Sequence, residues 1–167
     1  KESKDRVRAA IINSGFEFPN RRITVNLSPA DLPKEGGRYD LPIALGLLMA
    51  SGAVVQREMA TFELVGELAL TGELRPVRGL LPTAIRTMGA EHCLIAPYVG
   101  SEEVAFLEYP HIKTAKTLTE VVAYLNGDGS LGEVAELGER IRKPIRDFSE
   151  VKGQHFAKRA LEIAAAG

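Results

Sequence analysis

The sequence predicts an α/β chain, with helices laid on a sheet in a two-layer α+β arrangement. Three observations predict it. Strand-like and helix-like apolar stretches alternate from residue 61 to residue 125. One hairpin signal, Thr71-Gly72-Glu73, interrupts that alternation. Ahead of both, Leu41 to Ala50 is apolar almost all round, the pattern of a helix buried on most sides.

Ser3 to Asn13 reads as an amphipathic helix, with Val7, Ala10 and Ile11 inward and Lys4, Asp5 and Arg8 outward. Gly15 ends it. Phe16, Phe18 and Pro19 form an apolar turn. Arg22 to Leu27 alternates Ile23, Val25 and Leu27 with Thr24 and Asn26, which predicts a strand with one buried face. A polar loop, Pro33-Lys34-Glu35-Gly36-Gly37-Arg38, leads into the apolar helix. Asp40 is expected to be its N-cap, Pro42 to sit in its first turn, and Ser51-Gly52 to close it. Free N–H groups and a positive dipole end make this helix start a candidate functional site. The competing reading is a core helix with its leading loop.

Phe62, Leu64, Leu68 and Leu70 mark a strand, and Leu74 to Val77 its return. Gly79 to Met88 is a helix bearing Leu80, Leu81, Ala84, Ile85 and Met88, closed by Gly89. Cys93 to Ala96 is a strand stopped by Pro97, Ser101 to Leu107 a short helix, and Ile112 to Ala115 a strand. Leu118 to Leu125 is a helix with Thr117 as its cap. Asn126 to Ser130 has linker composition. Leu131 to Arg142 fits either a short helix or an ordered connector, broken by Pro144. Phe148 to Gln154 precedes a helix over His155 to Ala166.

With 167 residues the chain is long enough for one domain with a real core plus an extension. A formal net charge of −1 gives no global electrostatic case for nucleic acid. The charge is uneven, however. Both ends are basic, and residues 58–108 are mostly acidic. One cysteine, Cys93, excludes a disulfide framework and a thiolate metal site, and fits a reducing, cytoplasmic setting. No apolar run is long enough to span a bilayer. The chain opens within a charged helix and stops after an alanine run, so it reads as a piece of something longer.

No active site is complete in the sequence. Ser28, Ser51 and Ser101 lie in no nucleophile-elbow pattern, and Ser28 and Ser101 read as turn or cap residues. His92 beside Cys93 reads as a packing pair. His92, His111 and His155 lack metal-ligand spacing, so no metal site is expected. The phosphate-cradling G-x-x-x-x-G-K-[ST] motif is absent.

Three stretches carry a resemblance: KESKDRVRAAIINSGFEFPNRRITVNLSPADLPKEGGRYDLPIALGLL, GELALTGELRPVRGLLPTAI and DFSEVKGQHFAKRALEIAAAG. Together they resemble the Mg-chelatase-like AAA+ proteins of the ComM/YifB type, which are bacterial competence-associated ATPases. The resemblance implies a Lon-protease-like domain of the ribosomal-S5-domain-2-like fold over residues 1–126. It further implies a linker over 127–147 and the truncated start of an AAA+ module over 148–167. For the full-length protein it implies ATP and Mg2+ as cofactors, a homo-hexamer, and branch-migration or helicase work on DNA in natural transformation. No cofactor is expected in this chain by itself.

Lon-type peptidases carry a loop P-K-D-G-P-S-A-G with a serine nucleophile, and a lysine in a later G-G-L-K-E-K-L segment. The matching positions hold Arg38 and Leu81. Arginine is no acyl nucleophile, and leucine neither accepts nor donates a proton. The resemblance therefore implies a peptidase fold without peptidase chemistry, and a residual peptidase is the remote alternative. Val151, Gly153 and Gln154 match the segment that lies near the adenine in AAA+ modules. A basic cluster of Arg8, Arg21, Arg22, Lys34 and Arg38 supplies DNA-binding candidates, with Arg75 and Arg78 as further members. The competing reading pairs these charges with Glu2, Asp5, Glu35 and Asp40 on a solvated surface. A second function class is a structural module for hexamer assembly or motor regulation.

Overall fold

The computed structural model describes residues 2–28, 34, 36–55, 58–138 and 148–167. Pro33, Glu35, Arg140, Arg142, Lys143, Pro144 and Arg146, and with them part of the expected loop and connector, lie outside the described residues.

Helix α1 spans Glu2–Asn13 and α2 spans Asp40–Ser51. Strands β1 (Phe62–Leu64), β2 (Glu67–Leu68) and β3 (Leu74–Arg75) follow, then α3 (Leu80–Gly89) and β4 (Cys93–Pro97). A 3-10 helix over Ser101–Leu107, β5 (Ile112–Ala115) and α4 (Leu118–Leu125) come next. A 3-10 turn at Phe148–Glu150 and α5 (His155–Ala166) end the chain.

The class is α/β. β1, β4 and β5 form a parallel sheet in the order β1-β4-β5, with Phe62 beside Cys93 and Leu94 beside Ile112. β2 and β3 form an antiparallel hairpin. β4 packs two ways, as a strand buried on both faces must. Ile95 joins the core made with α1, α2 and α4, while Leu94 and Ala96 join a second core with Leu80, Ala84 and Val104. Helices thus cover both faces of the sheet.

The expected long strand from Phe62 divides at Val65-Gly66. Gly66 is the pivot. Its N–H donates to the Arg38 carbonyl and its carbonyl accepts from Leu41 N–H, both at 3.0 Å. A Cβ here would stand 3.3 Å from the Leu41 Cβ, so the close backbone approach fits glycine. The chain leaves the parallel sheet at this point to pin the start of α2.

Arg22 to Leu27 is a correction: the structure assigns it no strand. Among the described residues no backbone hydrogen bond pairs it with a neighbour. Alternation supplies a face, but a strand also needs a ladder partner. The segment instead runs along α2, and Val25 stays 50% exposed.

α2 differs as well. Leu41, Ala44, Leu45 and Leu48 are fully buried, but Gly46 and Ala50 are exposed. The helix is buried on one broad face, not on most sides. Its N-cap is Tyr39, with no side-chain cap bond, and Asp40 is its first residue. The Asp40 carboxylate is wholly buried and turned away from the helix end. Arg6 Nε donates to it at 2.9 Å and Leu68 N–H at 3.4 Å, and the Ser3 hydroxyl donates to it too. On α3, the apolar Ile85 and Met88 are exposed while Thr87 is buried. On α4 the expected cap is present, with Thr117 Oγ1 accepting from Glu120 N–H at 3.2 Å.

Residues 132–135 return to the sheet. Gly132 bridges Thr114, Lys113 pairs with Glu133 at 2.7 Å, and Ser101 Oγ accepts from Ala135 N–H at 2.9 Å. Within the described part, Leu131 to Arg142 is an ordered connector and not a helix.

Removing Arg6 would leave a buried carboxylate without its cation. Arg6→Ala is therefore expected to lower unfolding free energy by about 3 kcal/mol. Urea denaturation checks this. A loss within about 0.5 kcal/mol, the scale of ordinary surface changes, would contradict it.

Candidate functional site

Two helix starts meet at Arg38. It lies in the loop just before α2, and its Nη2 donates at 2.8 Å to the hydroxyl of Thr83, in the first turn of α3. Thr83 Oγ1 in turn donates to the Gly79 carbonyl at 2.9 Å. Arg38 Nη1 lies 3.8 Å from where a Cβ on residue 79 would stand. The structure thus brings position 38 to residues 79 and 83, which flank Leu81. Arg38 and the turn that carries Leu81 belong to one locality.

The loop itself is tightly set. Gly36 has φ +73°, a left-handed conformation that favours glycine. Gly37 is ordinary in φ but lies against the Glu67 side chain, which occupies the space a Cβ would need. The Arg38 guanidinium is half-buried and lies 5.8 Å from the Tyr39 ring centre. Its Nε is buried and has no hydrogen-bond partner among the described residues.

The free N–H groups expected at the start of α2 are a further correction. Asp40 N–H donates to Gly37, Leu41 N–H to Gly66 and Ile43 N–H to Tyr39, and Pro42 has none to offer. A turn bond, a tertiary bond to Gly66 and the helix's own first bond have filled the helix end. At α3, Leu81 N–H donates to Glu103 Oε1 at 3.2 Å. A carboxylate of the chain itself occupies the place an incoming anion would take.

The other basic candidates fall elsewhere. Arg8 is stacked over Phe18, 5.1 Å from the ring centre. Arg21 and Arg22 are exposed, and among the described residues neither side chain is in an ion pair or hydrogen bond. Both line a groove of about 750 Å3 between residues 19–27 and the outer face of α2, where Ile43 and Leu47 contribute apolar surface. Lys34 is half-buried and engaged. Arg75 and Arg78 are exposed. Val151 is 43% exposed, Gly153 and Gln154 have positive φ, and α5 follows with Phe156 95% exposed.

Sequence reasoning missed Thr83, Glu67 and Glu103. The Gly79-to-Thr83 spacing of four was a usable signal, since a first-turn threonine can bond back to the preceding turn. Nothing local marked Glu67 or Glu103.

The polar side chains elsewhere are engaged in structure. Ser51 and Ser101 hydroxyls donate to the Leu48 and Tyr98 carbonyls. His92 Nδ1 lies 3.3 Å from Glu63 Oε1, and Thr87 Oγ1 donates to Glu63 Oε2 at 2.8 Å. His92 is therefore turned to a carboxylate. Burial pushes the Cys93 thiol above its ordinary pKa, an effect that the Lys113 charge partly opposes. Among the described residues, no group of three or more His, Cys, Asp or Glu is placed to hold a metal. No described helix is long and apolar enough to cross a membrane.

Arg38→Ala and Thr83→Val should each cost about 1.5–3 kcal/mol, the range for a hydrogen bond involving a charged group, and the double variant should cost less than their sum. Denaturation of the three variants checks the coupling; strict additivity would contradict the contact. A raised thiol pKa leaves less thiolate at any given pH. Iodoacetamide should thus modify Cys93 slowly near pH 7.5, with the rate climbing only above the range of a free thiol. Modification as fast as glutathione at pH 7.5 would be the opposite result.

The sequence matches the family model described as subunit ChlI of Mg-chelatase over residues 1–98. It is 44% identical over 172 residues to competence protein ComM of Haemophilus influenzae, covering 100% of this chain and 34% of that protein. It is 46% identical over 167 residues to the uncharacterized protein YifB of Escherichia coli, covering 100% of this chain and 33% of YifB. An uncharacterized protein of Mycobacterium bovis is 34% identical over 168 residues, again covering 100% of this chain and 33% of the relative. The chain thus spans about a third of the length of these curated relatives. The family match covers more than half of the residues and joins the loop at Arg38 to the turn at Gly79, so the chain belongs to the Mg-chelatase-like family that includes ComM and YifB.

Proposed function

We propose that this chain is a non-catalytic N-terminal part of an Mg-chelatase-like AAA+ ATPase that processes DNA, and that it contacts DNA phosphates through Arg8, Arg21 and Arg22. The observation that carries this is the exposure of Arg21 and Arg22, side by side on the rim of the α2 groove and engaged by no described side chain. Adjacent unpaired guanidinium groups suit phosphate oxygens, which fix position without reading sequence. The printed name of the Haemophilus relative, a competence protein, agrees with work on incoming DNA. Lys34 and Arg38 are supporting members, since both are half-buried and engaged. The setting we propose is the cytoplasm.

In this reading the Lon-like locality is structural. Arg38 and Leu81 replace the dyad, and the guanidinium ties the α2 loop to α3 through Thr83. The sequence carries no phosphate-cradling loop, so ATP and Mg2+ would be held by the rest of a longer protein. Val151, Gly153 and Gln154 would lie near the adenine there, and they do not make a nucleotide site alone.

A second reading, a module for hexamer assembly or motor regulation without DNA contact, is favoured by apolar surface. α5 exposes Phe156, Leu161 and Ile163, and the groove beside α2 exposes Val25. Apolar surface of this kind, where contiguous, suits contact with further protein, whether the rest of a longer chain or a second copy.

Fluorescence anisotropy of labelled single- and double-stranded DNA across a salt series separates the two. DNA contact predicts binding that weakens steeply with salt. Arg21→Ala and Arg22→Ala should each reduce the log–log salt slope by about 1. No binding at low salt would favour the assembly reading. Isothermal calorimetry with ATP and Mg2+ should show no micromolar affinity for this chain, and a micromolar constant would contradict the assignment of nucleotide binding to the rest of the protein.

A further inference from the structure

We draw no further inference here: the strongest candidate, the apolar groove between residues 19–27 and the outer face of α2, carries nothing beyond its basic rim because nothing in the structure shows what covers it.

Discussion

The buried carboxylate of Asp40 sets most of what surrounds it. A carboxylate with no exposure to water must find its partners within the fold. Here they come from two directions: Ser3 and Arg6 on α1, and the Leu68 amide in the hairpin. One side chain therefore fixes α1, the start of α2 and β2 against each other. The loop carrying Arg38 hangs from this junction, and Gly66 locks its other side through two backbone hydrogen bonds. Moving any of these elements would strand either a charge or a pair of amides.

The start of α2 is closed, and that of α3 is partly so. A helix N-terminus is an anion site only while its amides point at solvent. At α2 those amides bond to the protein's own carbonyls, and at α3 Glu103 takes one of them. Exposed arginines lie both along residues 21–22 and, as Arg75 and Arg78, beside the turn at Gly79. What separates Arg21 and Arg22 from Arg38 is engagement: the first two pair with no described side chain, whereas Arg38 is held by Thr83.

What the sequence made legible follows the range of the forces involved. β5 and α4 were readable to the residue, because strand pattern, Thr117 cap and apolar spacing are all local. Arg22 to Leu27 misled for the converse reason: its pattern is local, but a strand is a relation to a second strand. Asp40 looked like a cap because Asp is among the favoured cap residues, and only its distant partner Arg6 explains its different use. Thr87, which no apolar pattern marks, is buried on α3, and Glu63 from β1 accepts its hydroxyl proton. For the site, the juxtaposition of position 38 with residues 79–83 came from family resemblance. The arginine-to-threonine contact that makes it, and the acid that closes α3, required coordinates.

Gly36 and Gly37 sit side by side for unrelated reasons. The first is held by a left-handed backbone with open space around it, the second by the Glu67 side chain resting where its own side chain would be. For substitution the two are unequal: the backbone resists any side chain at 36, whereas the crowding at 37 comes from a flexible carboxylate arm that can swing aside. A change that relaxed the backbone at 36 would do nothing for the crowding at 37, and shortening Glu67 would do nothing for the strain at 36. Position 36 is therefore the firmer constraint on the turn that presents residue 38.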